Sequence, residues 1–320
     1  MSRIRISAVA LCVVFAGAAP AADVEAFLPN DSEVVLSLNV EQLMNSTLGK
    51  KYLRGAIEQA LKDNPQGADI LKLVELDPFK DISRVTLAMW TKDNALVIVG
   101  GKFNRDKIAD LASKAAADQP AKVKIHNTDG GTIYELVDDD KKSTFTAFAS
   151  SAAILMSPDK NLLADLIGKT NSKIGKVKKE LAALIAKADA KQTLWMAALP
   201  GITSAIPLPS DNPQQKQAVE GLESITGTLN VANDAKLMLS LTSKNPQAAQ
   251  ILNKQIIDGL NLVKLFLPSA AKDKPEIAPL LDVINTIRTL NKGKTVTITA
   301  EMTGEQIEKA AKSVQKGKDK

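Results

Sequence analysis

His126 is the only imidazole in the 320-residue chain, so any histidine chemistry must pass through it. A relay for nucleophilic attack needs a hydroxyl at one ring nitrogen and a carboxylate at the other. The segment Lys122-Val123-Lys124-Ile125-His126 alternates like a strand, which puts His126 on the lysine face, opposite Val123 and Ile125. That pattern reads as a solvent-facing strand residue. The catalytic alternative requires a serine and a carboxylate delivered by the fold, and no G-x-S-x-G elbow offers the serine locally. Zinc would need further His or Cys ligands, and Cys12 is the sole thiol. The sequence therefore nominates no catalytic, metal-binding or cofactor-binding residue, and no cofactor is expected.

Other suggestive fragments resolve into turns. Asp138-Asp139-Asp140-Lys141-Lys142 has contiguous acids, where a calcium loop needs alternate oxygen ligands, a central Gly and a distal Glu. Asp129-Gly130-Gly131 reads as a turn requiring positive φ. Gly168-Lys169-Thr170 ends a helix, and Gly293-Lys294-Thr295 precedes a strand, so neither has phosphate-loop geometry. Trp90 and Trp195 each sit in an expected strand beside a methionine, Met89 and Met196. They are the candidates for the wall of a ligand cleft. The competing reading is packing at the margin of a core, the usual place of so bulky a side chain.

The elements that would position these residues begin after a secretory signal. Arg3 and Arg5 precede an apolar run from Ile6 to Ala16, and Ala19-Pro20-Ala21 offers a small-residue exit with a cut before Ala22. The run is shorter than the roughly 20 apolar residues of a membrane span. A lipoprotein reading ending at Cys12 meets Leu11 where a small residue is needed. Cleavage would remove the only cysteine and lower the net charge from +5 to +3. So small a surplus gives no electrostatic reason for a nucleic-acid partner. Aromatics at 3% leave few platforms for sugars or bases.

After the signal, strands are expected at Glu33 to Val40, at Val85 to Thr91 with Ala95 to Phe103, and at Lys122 to Asn127 with Thr132 to Val137. A further hairpin pairs Ser143 to Ala149 with Ala152 to Ser157. Helices are expected from Gly49 to Lys62, Arg105 to Ala117, Pro158 to Ile167 and Lys173 to Lys191, the last with the apolar stripe Ile174, Val177, Leu181, Leu184, Ile185 and Ala188. The order then recurs about 140 residues on. The strand Gln192 to Leu199 answers Glu33 to Val40, and Ile225 to Val231 with Ala235 to Thr242 answers the first hairpin. Asn245-Pro246 opens a helix as Asn104 does, and Thr295 to Met302 precedes a last helix from Gly304. Between Ala248 and Arg288 the second copy reads as mostly helical. The expected fold is α+β: two similar half-domains with one or two curved, mainly antiparallel sheets and helices on one face. The boundaries are a signal at 1–21 and repeats at 22–172 and 173–320, or one continuous domain.

The opening Phe27-Leu28-Pro29-Asn30-Asp31-Ser32-Glu33-Val34-Val35, with Asn39-Val40 and Leu43 to Ser46, resembles the start of exported bacterial proteins of unknown function that carry a duplicated α+β unit. Lys179-Glu180-Leu181 leading to Thr193-Leu194-Trp195 resembles the second start in such chains. The resemblance implies a non-enzymatic extracytoplasmic protein, periplasmic or secreted, and names no site. The expected function is binding of an unidentified protein or small molecule. A hydrolase using carboxylates alone, and an envelope structural protein, are the alternatives. No transmembrane span is expected once the signal is gone.

Overall fold

The computed structural model describes residues 24–91, 94–168, 177–201, 218, 220–273 and 277–318. The signal expected at 1–21 and the repeat boundary expected at 172/173 lie outside these residues.

Among the described residues the fold is α+β, built on one antiparallel sheet of 12 strands in the order β11-β12-β10-β9-β8-β1-β2-β3-β7-β6-β5-β4. The first strands are β1 (Val34–Asn39), β2 (Ile82–Met89), β3 (Ala95–Gly101), β4 (Val123–Thr128), β5 (Gly131–Val137), β6 (Ser143–Ser150) and β7 (Ala153–Ser157). The later ones are β8 (Leu194–Ala198), β9 (Leu222–Val231), β10 (Ala235–Ser243), β11 (Arg288–Lys292) and β12 (Thr295–Met302). Alternation explains them. In β3, Leu96, Ile98 and Gly100 are buried while the residues between are half-exposed, the period of a pleated strand. The two halves of the chain thus share one sheet, joined where Val35 pairs with Ala197 and Ser37 with Trp195.

Side-chain caps start most of the helices described. Asn39 accepts from Gln42 N (2.9 Å) at α1 (Val40–Asn45). Asn64 accepts from Gly67 N at α3 (Pro65–Leu73), so Asn64-Pro65 both ends α2 (Arg54–Asp63) and starts the next helix. Asn104 caps α4 (Arg105–Asp118), and Asp159 caps α5 (Lys160–Ile167). Asn245 accepts from Ala248 N (2.8 Å) at the start of α7 (Pro246–Asp273). Thr303 and Gln306 exchange bonds as a capping box before α9 (Gly304–Lys318). The remaining helices are α6 (Lys179–Ile185) and α8 (Pro279–Thr286).

The expectation that helices pack on a single face does not hold. The larger core joins Val35, Ala88, Leu96, Ile98, Leu155, Ala147, Ile133 and Ala197 to Leu163 and Leu166 of α5 and Leu181 and Ile185 of α6. The smaller core joins Val296 to Ala249 and Leu252 of α7. The register runs Val35–Ala197–Thr226–Ser240–Thr297 across the sheet. Val296, next to Thr297, therefore points to the other side. Helices therefore lie on both faces of the sheet: α5 and α6 on the Val35 side, and α7 on the other, where Arg105 of α4 also stands over the Phe148 ring.

Candidate functional site

Two of the places where polar groups gather bear on function. The first lies on β4, β5 and β6, on the face that carries Val35. Glu135 sits between two neighbours there: His126 Nε2 lies 2.8 Å from its Oε2, while Ser143 Oγ donates to its Oε1 at 2.7 Å. Lys124 Nζ adds a contact to Oε1 at 3.2 Å. Glu135 is only 8% exposed. The Ser143 hydroxyl and the His126 ring, with Lys124 beside them, hold its carboxyl down to about 2.

The fold thus delivers both the serine and the carboxylate that His126 lacked in sequence. The order is wrong for a nucleophilic relay, which places the imidazole between the hydroxyl and the acid. Here the carboxylate is the middle member, and the Ser143 hydroxyl points at a very weak base. The trio is arranged to fix three strands rather than to activate an oxygen. His126 keeps the lysine side of β4, but it is part-buried and bonded instead of solvent-facing.

The second place is a groove of about 580 Å³ at the middle of the sheet, where β1 meets β8 and β9. Its apolar lining is Ala183 and Leu184 of α6 with Leu199, Pro200 and Leu222. Around this converge Glu33, Lys178, Glu180, Glu223, Ser224 and Lys244. Glu33 is paired with Lys178. Lys244 Nζ donates to the Glu220 carbonyl at 2.7 Å, and Glu223 has Lys294 at 3.9 Å. Gly201 lets the wall close in, since a Cβ there would stand 2.8 Å from the Glu33 carboxylate. A groove of this size, apolar within and rimmed by charges of both signs, suits a small amphipathic ligand or a chain segment.

Trp195 is 7% exposed and lies in the larger core, and Trp90 packs against the same core. Neither is among the residues that line the groove. The acidic run forms a turn, with Lys141 at φ 62° and Lys142 N donating to Asp138 Oδ1 at 2.8 Å. Gly131 has φ 142°, the positive value its turn needed. Among the described residues no cluster of three or more His, Cys, Asp or Glu could hold a metal ion. None of the helices described is long and apolar enough to cross a membrane. No protein-family model, curated protein or solved structure matches the chain.

Glu135 carried a signal in sequence: it shares the inward side of β5 with Ile133, where an acid is out of place unless partnered. The groove carried none. Its residues come from five separate segments that no local pattern links.

Proposed function

We propose that this chain is an exported binding protein without a catalytic centre, and that its ligand seats in the groove beside β1 and β8. The observation that carries the reading is the convergence there of Glu33, Lys178, Glu180, Ser224 and Lys244 around an apolar lining. The strand order supports a duplicated origin for the scaffold. From the central pair, β1-β2-β3-β7-β6 runs one way and β8-β9-β10-β12-β11 the other. The β4–β5 hairpin is then an addition to the first copy, and the groove lies where the copies meet. The arrangement around His126 and the placement of the signal favour binding outside the cytoplasm over chemistry.

Thermal unfolding of the processed protein against short peptides, fatty acids, lysophospholipids and small zwitterions tests this. One class should raise Tm in the natural chain and not in Ala183→Arg, which fills the groove. A ligand present at about 100 times its Kd adds roughly 2.7 kcal/mol. No shift with any class, together with nothing bound after purification from the native host, would overturn the reading. Hydrolysis of a peptide or glycan by the natural chain, abolished in Glu180→Gln, would replace it with the carboxylate hydrolase.

A further inference from the structure

The second half of α7 is exposed on the wrong side. Up to Ile256 the helix packs on the smaller core. Beyond it, Leu262 is 57%, Leu265 69% and Phe266 64% exposed. Leu260 and Leu267, on the inner side, are half-buried. Large apolar side chains exposed together mark a surface that is normally covered, and this stretch extends about 22 Å from Ile257 to Ala271 at about 1.5 Å per residue.

The outward stripe reads Asp258, Leu262, Leu265, Ser269 and Lys272, spaced four, three, four and three. That spacing makes a single seam suited to another helix. The stripe is also self-complementary. An antiparallel copy crossing near Leu265 sets Asp258 against Lys272 of the partner subunit, and Leu262 against the small Ser269 of the partner subunit. A two-fold axis makes each pairing twice. Asp258 has Lys254 at 2.6 Å within the chain, while Lys272 has no acidic partner among the described residues. We propose that this arm is the interface of a homodimer formed by antiparallel pairing of two α7 helices.

Two other coverings fit less well. A helix lying on a membrane carries a surplus of Lys or Arg along its polar side, whereas beyond Ile256 α7 has Lys264 and Lys272 balanced by Asp258 and Asp273. Extension of the sheet through the edge strand β11 is opposed by its own charges. Pairing centred on Leu290 would set Arg288 against Lys292 of the partner subunit on the same face. None of the residues that line the groove belongs to the arm, so separate variants test the two sites.

Sedimentation velocity on the processed full chain tests the proposal. The natural protein should be a dimer that dissociates on dilution and persists in high salt, since Leu262 and Leu265 form the centre of the seam. Leu265→Asp, and independently Leu262→Asp, should give a monomer with unchanged circular dichroism. Asp258→Lys and Lys272→Asp should each raise the dissociation constant roughly tenfold, and the double swap should recover most of the loss. A natural chain that is monomeric up to its solubility limit, a Leu265→Asp dimer, or a double swap no better than either single would overturn it. So would a monomer that cosediments with vesicles containing an anionic phospholipid through Leu265, which would make the arm a lipid contact.

Discussion

Glu135 Oε2 stands 2.8 Å from His126 Nε2. An ionised carboxylate only accepts, so the bond requires the proton on Nε2. The folded carboxyl is held near 2, below its ordinary value of 4.5. Its contribution is thus complete above about pH 4.5 and lost as pH falls towards 2. Glu135→Gln should cost about 1–3 kcal/mol near neutral pH. The natural chain should lose more stability than the variant between about pH 4.5 and pH 2. Urea unfolding at both ends of that interval checks the sign; parallel losses would mean the bonds to Glu135 do not persist in solution.

Burial should separate two leucines on helices. Leu163 of α5 is fully buried in the larger core. Its replacement by Ala should cost about 2–5 kcal/mol. Leu73 of α3 is 62% exposed, and the same change there should move stability by less than about 0.5 kcal/mol. Equal effects in chemical denaturation would show that α5 is not seated on the sheet as described.

Two glycines should respond with opposite sign. A Cβ on Gly101 would lie 2.1 Å from the Asp81 carbonyl oxygen, which belongs to the backbone and cannot swing aside. Gly101→Ala should therefore destabilise by about 1–3 kcal/mol. Gly55 in α2 has nothing within 4 Å of that position. Gly55→Ala should stabilise by about 0.5 kcal/mol, because Ala loses less backbone freedom in a helix. Melting temperatures of the two variants suffice to compare them.

The proposed export would leave a chemical mark. Protein recovered from its native host should begin at Ala22 and should not react with maleimide after denaturation, since Cys12 leaves with the signal. Intact-mass analysis decides both points, and a reactive thiol on the isolated protein would refute cleavage.

Much of the sheet was legible in sequence because its strands alternate and its hairpins carry turn residues, as in β2–β3 and β5–β6. The caps at Asn104 and Asn245 were legible too, since a short polar side chain before a helical stripe has one obvious use. The strand β11 was not: Arg288-Thr289-Leu290-Asn291-Lys292 is short, polar and at an edge, with little apolar period to read. Nor was the choice of face for α7, which depends on a register accumulated across several strands. The bonds among His126, Glu135 and Ser143 depend on two diagonal neighbours meeting on one strand. The groove depends on β8 settling beside β1, a contact between residues far apart in the chain.

That central pairing has a consequence for assembly. β1 finds β2 nearby in sequence, but its other neighbour, β8, is synthesised only after every strand of the first sheet half. Until then β1 is a raw apolar edge, and the emerging chain must keep it from meeting another copy. Severed between Gly168 and Val177, the molecule would become two incomplete sheets with matching edges, the two pieces of a split protein that reports its own reunion.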